Sequence, residues 1–526
     1  MPCIEVNGRV GHVVAARSAA ASGSADVDAH RTLGRHPRHT GWMSTSADTS
    51  DTEAQGVAHF PSVPTAAGTP STQSAALAAG PTRYDTTEGS LGKAARKKVP
   101  RTSLGDWDPA TRGHDALQTI LAQNEIRDQR LVPMRHGRMS ASPWTYYRGA
   151  AAVMAADLAS RPDTGIHVQM CGDAHVLNFG MWNTPERTLA FDLRDFDETL
   201  PGPFEWDLLR FLTSLVVLAR DNDVDEKTAL DAVRRGFAGY RSSIATYATW
   251  PILDVWSAKV SADDLAGYLA PEEGSQLDKY ISKRAKKRSN RGTSKKFTHL
   301  VDGRRMITEA PPYRVHSLSE FDDVLNDVLV SYYGSVQENI AALLRRFDLV
   351  DIVQQVVGVG SVGMRVYLTL TEEHQTGDPL FFQIKQAAPS VYEKFLGPSV
   401  YPNHGQRVVN GQRLIQSASD SFLGWSTIRD WDFYVRQFRD GKVIPDGRSV
   451  APRLGAFASA CGHVLARAHA RSGDARTIDE YFGSSASSEE SVVAFARAYA
   501  DQTERDHAQL VAAIDDGTVE SAPGWP

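Results

Sequence analysis

Cysteine is scarce in this chain of 526 residues, which contains only Cys3, Cys171 and Cys461. Three cysteines so far apart exclude a disulfide framework and offer no cluster of thiolates for zinc. Apolar runs long enough to cross a bilayer are absent, and the N-terminus lacks the charged start and continuous apolar stretch of a signal peptide. We therefore expect a cytoplasmic protein that does not enter a membrane.

A strong excess of either charge is also absent, because the formal net charge is only -6. This balance argues against a protein that binds nucleic acid. The exception is a dense basic run at residues 283–296. It could contact an acidic substrate, phosphates or RNA, but a solvated linker is the simpler interpretation.

The first hundred residues have no sustained apolar period and are rich in Ala, Ser, Thr, Gly and Pro. This composition predicts a disordered, low-complexity tail over residues 1–105. With 41% hydrophobic residues in the whole sequence, the rest of the chain can bury a core of two or three domains.

The side chains with most potential for chemistry lie in the segment 171–178, which contains Asp173, His175 and Asn178 and is called the acidic loop below. An apolar run typical of a buried strand precedes the acidic loop, and a second such run precedes the carboxylate Asp195. We expect the two strands to be adjacent, so that the polar groups at their ends form one site.

The spacing in the acidic loop favours phosphoryl transfer. Asp173 and Asn178 are five positions apart, like the base aspartate and the metal-binding asparagine of the kinase catalytic loop. The reaction needs a carboxylate that orients and deprotonates the attacking hydroxyl, a role that Asp173 fits. It also needs hard oxygen ligands for Mg²⁺, a role that Asn178 and Asp195 fit. The alternative is that Asp173 and Asn178 only cap a turn.

A candidate site for nucleotide phosphates lies far downstream, where Gly358, Gly360 and Gly363 form the pattern G-x-G-x-x-G. Dinucleotide-binding folds share this spacing, but there the glycines open a helix. Here the residues that follow alternate and are rich in β-branched and aromatic side chains, which predicts a strand. Strand, glycine loop and strand is the arrangement found in kinases.

Lys385 lies in the next predicted strand, residues 380–386, where a buried ammonium needs an anionic partner. Its position matches that of the kinase lysine that pairs with the α- and β-phosphates. The alternative is a lysine at a sheet edge that points to water. Glu393 is the candidate partner, although Gly397 interrupts its helix and the longer predicted helix at 406–419 offers glutamines instead.

Several arginines lie near these segments. Arg407 and Arg413 could face phosphates, but each is more simply interpreted as a solvent-facing residue. Three others precede or lie on a predicted helix at residues 142–158, and one of them could reach the acidic site or a substrate phosphate: Arg135, Arg138 and Arg148. An ion pair with Asp192, Asp197 or Glu205 is at least as simple an interpretation.

The acidic loop resembles a known motif. Residues 172–178 are similar to the H-G-D-x-H-x-x-N loop of aminoglycoside phosphotransferases and related small-molecule kinases, with Cys171 where that family usually has His. Residues 195–208 resemble the D-F-x…G-x-P-x-x-x-D-L segment of the same family. The resemblance implies that Asp195 binds metal and that Asp207 anchors the helix that follows.

From about Arg101 to the C-terminus the chain also resembles the bacterial family called domain of unknown function 2252. The resemblance rests on six stretches: 142–149, 171–180, 195–210, 406–414, 434–440 and 468–471. The name of that family implies no substrate.

The resemblance to kinases and the order of the motifs predict an α+β, two-lobed protein-kinase-like fold with permuted lobe order. The chain would begin inside the large helical lobe and supply the small β-rich lobe later. We expect Lys385 and Gly358 to face Asp195 across a cleft. The predicted parts are the tail at 1–105, a catalytic-loop and metal-site segment at 106–335, a nucleotide-binding lobe at 336–450 and a helical segment at 451–526 that completes the large lobe.

Three functions remain open. The first is an ATP- and Mg²⁺-dependent phosphotransferase for a hydroxyl of a small molecule, with Asp173 as base and His175 supporting the loop. Its metal ligands would be Asn178 and Asp195, and its nucleotide contacts Gly358, Gly360, Gly363, Lys385 and Glu393. The second is a metal-dependent hydrolase, since the acidic loop could also bind Mn²⁺, Fe or Zn²⁺. The third is a kinase-like protein that binds nucleotide without catalysis, because Cys171 replaces a histidine and the partner of Lys385 is undefined.

Overall fold

The computed structural model describes residues 91–268, 279, 281–316, 328 and 331–523. They belong to one unit, Thr69–Pro526, and the predicted tail up to residue 90 lies outside them. The described residues form a mixed α+β structure, which confirms the α+β part of the predicted fold class.

The α-helices are α1 (Leu91–Lys98), α2 (Ala116–Ala122), α3 (Val132–Met139), α4 (Pro143–Gly149), α5 (Ala151–Ala159), α6 (Phe204–Asp221), α7 (Glu226–Tyr247), α8 (Ile252–Ser257), α9 (Ala262–Ala266), α10 (Asn290–Phe297), α11 (Glu338–Leu344), α12 (Glu393–Leu396), α13 (His404–Ile415), α14 (Gly447–Val450), α15 (Leu454–Ser472), α16 (Ala475–Phe482) and α17 (Ser487–Asp515). The strands are β1 (His167–Met170), β2 (Phe179–Asn183), β3 (Leu189–Leu193), β4 (Leu200–Pro203), β5 (Val260–Ser261), β6 (Thr298–Val301), β7 (Arg304–Ile307), β8 (Arg314–Val315), β9 (Phe347–Gln355), β10 (Val366–Glu373), β11 (Pro379–Ala387), β12 (Gly424–Ile428) and β13 (Trp431–Gln437).

The largest sheet of the described residues has the strand order β12-β13-β11-β10-β9-β8, and all neighbours are antiparallel. β9, β10 and β11 follow one another in the chain, which then leaves the sheet, forms α13 and returns as β12 and β13. Lys385 lies in β11, opposite Val366 of β10 and Tyr434 of β13. Since β11 has a neighbour on each side, Lys385 is not a residue of a sheet edge.

The sheet also begins earlier in the chain than predicted. β8 pairs with β9 through Arg314 and Val315, which lie before the predicted boundary at residue 336. The predicted strands after the glycine loop and at residues 380–386 are present, with ends shifted by one to three residues.

The strands around the acidic loop pair differently from the prediction. β1, which leads into the loop, pairs with β4, whereas β3, which leads into Asp195, pairs with β2 and β5. The expectation that β1 and β3 are neighbours is therefore wrong. Asp195 comes near the loop because β3 runs back along β2, the strand that follows the loop, with Leu193 opposite Phe179.

Three long helices form most of the core behind the acidic loop. Every residue of α6 from Phe204 to Ala219 is buried, as expected of a helix surrounded by other elements. α7 and α15 pack closely where Gly462 meets Gly236, since a Cβ at Gly462 would collide with the Gly236 carbonyl oxygen and lie 2.8 Å from the Tyr240 nitrogen. In the described part of the chain, no helix is both long and apolar enough to cross a membrane.

Two predicted boundaries need correction. The helix predicted at 142–158 is two helices, α4 and α5, which meet at Ala150; Ser142 caps the first of them as expected. The tail predicted as disordered to residue 105 ends earlier, because α1 and a 3₁₀ turn at Arg101–Gly105 are folded. Arg96 holds this segment in place by donating a 2.9 Å hydrogen bond from Nε to the Tyr481 carbonyl of α16.

Candidate functional site

A cavity of about 350 Å³ is lined by the acidic loop, by the segment after β3 and by the glycine loop, residues 358–363. The predicted site residues in its wall are Asp173, His175, Asn178, Asp195, Gly358, Gly360 and Lys385. The described wall does not include Gly363 or Glu393. The structure therefore brings together most of the predicted residues, although the acidic loop and the lysine are far apart in the chain.

The acidic loop is held from below by α6. The Asp207 carboxylate accepts hydrogen bonds from the backbone nitrogens of Cys171, at 2.7 Å, and of Gly172, at 3.0 Å. Gly172 has a positive φ of 84°, and a Cβ there would lie 2.6 Å from the Glu198 carbonyl carbon, so the turn requires glycine. Asp207 thus anchors the loop itself, in addition to beginning the helix.

Asp173 has one oxygen engaged and one directed to the cavity. Its Oδ1 accepts a 2.6 Å hydrogen bond from Nε of the buried Arg210, and its Oδ2 lies 3.9 Å from His175 Nε2, too far for a hydrogen bond. Burial raises the pKa of Asp173, although Arg210 opposes the shift. A carboxylate with a raised pKa is a stronger base than an ordinary aspartate.

His175 is a packed, neutral residue. Burial, together with Arg148 and Arg210, lowers the pKa of His175 well below its ordinary value. Its ring packs edge to face against Trp144 with centroids 5.5 Å apart, and its Nδ1 has no hydrogen-bond partner among the described residues. Its side chain therefore does not support Asp173 by a hydrogen bond.

Asn178 closes the acidic loop. Its Nδ2 donates a 2.6 Å hydrogen bond to the Asp173 carbonyl oxygen. The backbone carbonyl of Asn178 accepts a 3.1 Å hydrogen bond from the backbone nitrogen of Arg194. Because the amide nitrogen is the donor in this contact, Oδ1 is the side-chain atom left for a ligand.

Lys385 is 3% exposed and is held by carboxylates of the segment after β3. Its ammonium forms an ion pair with Asp197 and lies 3.8 Å from Asp195 Oδ1. Burial alone would lower the pKa of Lys385, but Asp195 and Asp197 raise it above its usual value. Burial alone would raise the pKa of Asp195, but Lys385, Arg436 and Arg194 hold it well below its usual value. The anionic partner that the sequence requires for Lys385 is Asp197.

Glu393 does not reach Lys385. Its carboxylate accepts hydrogen bonds from the backbone nitrogens of Ser390 and Ser399, and it lies 3.5 Å from Arg407 Nε. The one-turn helix α12 keeps Glu393 within this local network. Arg407, which we expected to face solvent, is buried because its guanidinium donates to three carbonyls, those of Asp197, Thr199 and Ala388.

The glycine loop has its carbonyl groups tied down. Arg127 Nη1 donates to the carbonyls of Gly360 and Val362, Arg138 donates to that of Gly358, and the Asp128 nitrogen donates to that of Gly363 at 2.7 Å. In contrast, within the described part of the chain, no acceptor is found for the backbone nitrogens of four consecutive residues in the cavity wall: Gly358, Val359, Gly360 and Ser361. Gly358 has a positive φ of 63°, which favours glycine there.

The cavity wall also contains charged residues beyond those predicted to be the catalytic, nucleotide-binding and metal-binding residues. They are Arg127, Arg148, Arg194, Asp197 and Glu198. Arg148 had been grouped with Arg135 and Arg138 by position alone. Arg138 instead holds the glycine loop and Arg135 binds Asn124 Oδ1 at 2.9 Å, so the grouping could not distinguish the three roles.

The donor atoms near Asp195 fit a divalent cation shared with a phosphate. Asp195 Oδ1 and Asp197 Oδ1 are buried and have no hydrogen-bond partner among the described residues. Hard cations such as Mg²⁺ bind one or two carboxylates and complete their shell with phosphate oxygens and water. Among the described residues, no group of three or more His, Cys, Asp or Glu could hold a metal, so a cation here needs such further ligands.

The family model of an uncharacterized protein conserved in bacteria, DUF2252, matches residues 127–513. The chain belongs to this family. The DUF2252 match includes both loops and Lys385, and it confirms the family resemblance noted from the motifs. No curated protein and no solved structure matches the chain. The activity must therefore be argued from the cavity.

Proposed function

We propose that this protein is a kinase-like phosphotransferase that uses ATP and Mg²⁺ to phosphorylate a hydroxyl group of a small molecule. The observation that carries the proposal is the shared cavity, where an acidic loop with kinase spacing faces a glycine loop and a buried lysine. Backbone N–H groups without intramolecular acceptors are the groups that cradle phosphates in nucleotide-binding loops.

The order of the sheet elements supports a protein-kinase-like small lobe. In protein kinases a glycine-rich loop covers the phosphates, the lysine lies on the third strand, and its partner lies on the helix αC. β9, the glycine loop, β10, Lys385 on β11 and α13 follow one another in that order. Because the acidic loop precedes them in the chain, the proposed fold is a kinase with permuted lobes.

The proposed nucleotide contacts are the glycine loop and Lys385, which line the same cavity. The N–H groups of the glycine loop hold the β- and γ-phosphates, and Lys385 pairs with the α- and β-phosphates. Asp197 takes the part of the helix glutamate, since it is the carboxylate that holds the Lys385 ammonium in place. Glu393 has no part in this assignment.

Asn178 Oδ1 and Asp195 are the proposed ligands of Mg²⁺, which would neutralise charge on the phosphate oxygens when bound. The low pKa of Asp195 supports this role, because a metal ligand must be ionised. The unpartnered Oδ1 of Asp195 is the second supporting observation.

Asp173 is the proposed base. Arg210 fixes Oδ1, so that Oδ2 takes the proton of the acceptor hydroxyl as its oxygen forms a bond to the γ-phosphorus. The bond from that phosphorus to the β-γ bridging oxygen breaks, ADP leaves, and the phosphorylated acceptor is the second product. His175 contributes by packing under the loop.

A thermal-shift titration with ATP and Mg²⁺ tests the proposal. Binding should raise the melting temperature, because a ligand of the folded state stabilises it by mass action, by about 2.7 kcal/mol at a hundred times the Kd. Absence of a nucleotide shift would contradict the proposal. A shift with Mn²⁺ alone would instead favour a metal-dependent hydrolase.

A nucleotide-binding protein without catalysis is the second candidate, and one observation favours it. The Asp173 carboxylate already has an ion pair with Arg210, a contact that lowers its basicity. Incubation with ATP, Mg²⁺ and a panel of small hydroxyl compounds distinguishes the two, since only the phosphotransferase forms ADP.

A further inference from the structure

Arg148 is a cation of the cavity wall that has no counter-ion among the described residues. Arg148 lies near the end of α4. Its guanidinium has no hydrogen bond and no ion pair with any of the described residues, and its Nε is buried. Arg148 is partly buried, and removing a charged group from water is costly unless an anion compensates it. Burial correspondingly lowers the pKa of Arg148.

Two further guanidinium groups add to this positive charge. Arg127 donates only to carbonyl groups, and Arg194 donates to the Leu177 carbonyl at 2.9 Å while its buried Nε has no partner among the described residues. No carboxylate lies within ion-pair distance of Arg127, Arg148 or Arg194 in the part of the chain that the structure describes.

Three carboxylates of the wall each have a partner for at least one oxygen. Asp173 is paired with Arg210, Asp197 is paired with Lys385, and Glu198 accepts a 2.8 Å hydrogen bond from the Val391 nitrogen. The proposed metal takes Asp195. The arginines are therefore left for a ligand.

We propose that the phosphate acceptor is an anionic hydroxyl compound, which carries a phosphate or carboxylate group bound by Arg148 with help from Arg127 and Arg194. This inference rests on the proposed function. Arg148 is the first choice because it lines the same cavity as Asp173 and Asp195, the proposed base and metal ligand, and has no ion pair among the described residues. A polycationic acceptor would face three guanidinium groups that have no ion pair among the described residues.

Titration of the full chain with inorganic phosphate tests the inference, first alone and then with AMP-PNP and Mg²⁺ at saturation. Phosphate should raise the melting temperature in both conditions. Arg148→Gln should bind phosphate roughly tenfold more weakly or worse, as expected for losing a hydrogen bond between charged groups. Arg148→Lys, which keeps the charge, should bind better than Arg148→Gln. The control is Arg345→Gln, an exposed arginine paired with Glu338, which should bind phosphate like the wild type.

The outcomes separate the two proposals. Phosphate protection that disappears once AMP-PNP and Mg²⁺ are bound would assign the arginines to the nucleotide and overturn the acceptor inference, while supporting the proposed function. A nucleotide shift without any phosphate shift would also overturn it. Loss of both shifts would count against the proposed function itself.

Two parallel titrations identify the anionic group and the sign of its charge. Stronger protection by phosphate than by acetate would assign a phosphate group to the acceptor, and the reverse would assign a carboxylate. Stronger protection by glucosamine than by glucose 6-phosphate would contradict the inference.

Discussion

Lys385 shows how single residues of this protein depend on distant partners. Its counter-ions Asp195 and Asp197 lie almost two hundred positions earlier, and the ion pair with Asp197 spans 188 residues. The sequence could predict that a lysine in an apolar strand needs an anion. The sequence could not identify Asp197, because Glu393 is much closer to Lys385 along the chain. Only the fold shows that Glu393 binds the backbone nitrogens of Ser390 and Ser399 instead.

Replacement of Asp173 by Asn should separate catalysis from binding. The amide oxygen can still accept the Arg210 hydrogen bond, but it cannot take a proton, so ADP formation from ATP should fall by roughly 10²–10⁴-fold. The AMP-PNP thermal shift should remain. Asp231→Asn, an exposed residue of α7 paired with Arg235, is the matched control. Unchanged ADP formation in Asp173→Asn would remove Asp173 from the reaction.

The arginines mark the limit of prediction at this scale. Arg407 was expected in solvent, yet it is 2% exposed because one guanidinium with five donors can serve several carbonyls at once. Arg138 and Arg148 lie close together in the sequence, but Arg148 lines the cavity and Arg138 binds the glycine loop. Charge and spacing do not distinguish these outcomes.

At the scale of elements, local signals predicted several strands and failed on their pairing. The alternation after the glycine loop predicted β10, and a further strand was predicted where β11 lies. The partner of β1 could not be predicted, because strand pairing depends on residues far apart in the chain. For the same reason the expectation that β1 and β3 are neighbours was wrong.

The contact between α7 and α15 offers a test of this packing. Gly462→Ala would push a methyl group into the Gly236 carbonyl, a backbone atom that cannot rotate away. We expect a loss of about 1–3 kcal/mol in the free energy of unfolding, which exceeds the gain of about 1 kcal/mol from alanine in a helix. Urea unfolding followed by circular dichroism measures it.

Gly113→Ala is the control for this packing test. A Cβ there meets nothing within 4 Å, so the unfolding free energy should change by about 0.5 kcal/mol or less. Equal stability of Gly462→Ala and the wild type would show that the two helices are farther apart than described.

At the scale of the whole molecule, the chain joins two distant segments around one cavity. The acidic loop is fixed to α6 by Asp207, and the glycine loop is fixed by Arg127 and Arg138. The sequence predicted that these loops face each other, on the assumption of a permuted kinase. The arginines that hold the glycine loop had no such role in that prediction, because kinase motifs do not include them.

The central claim is that both segments bind the same nucleotide and metal. Calorimetric titration with AMP-PNP and Mg²⁺ tests it in the wild type, in Lys385→Met and in Asp195→Asn, with the exposed Asp378→Asn as control. We predict that the wild type and the control bind and that each of the other two variants loses most of its affinity, although their positions lie in different parts of the chain. Binding that is absent from the wild type, or that survives in either site variant at full strength, would contradict the account.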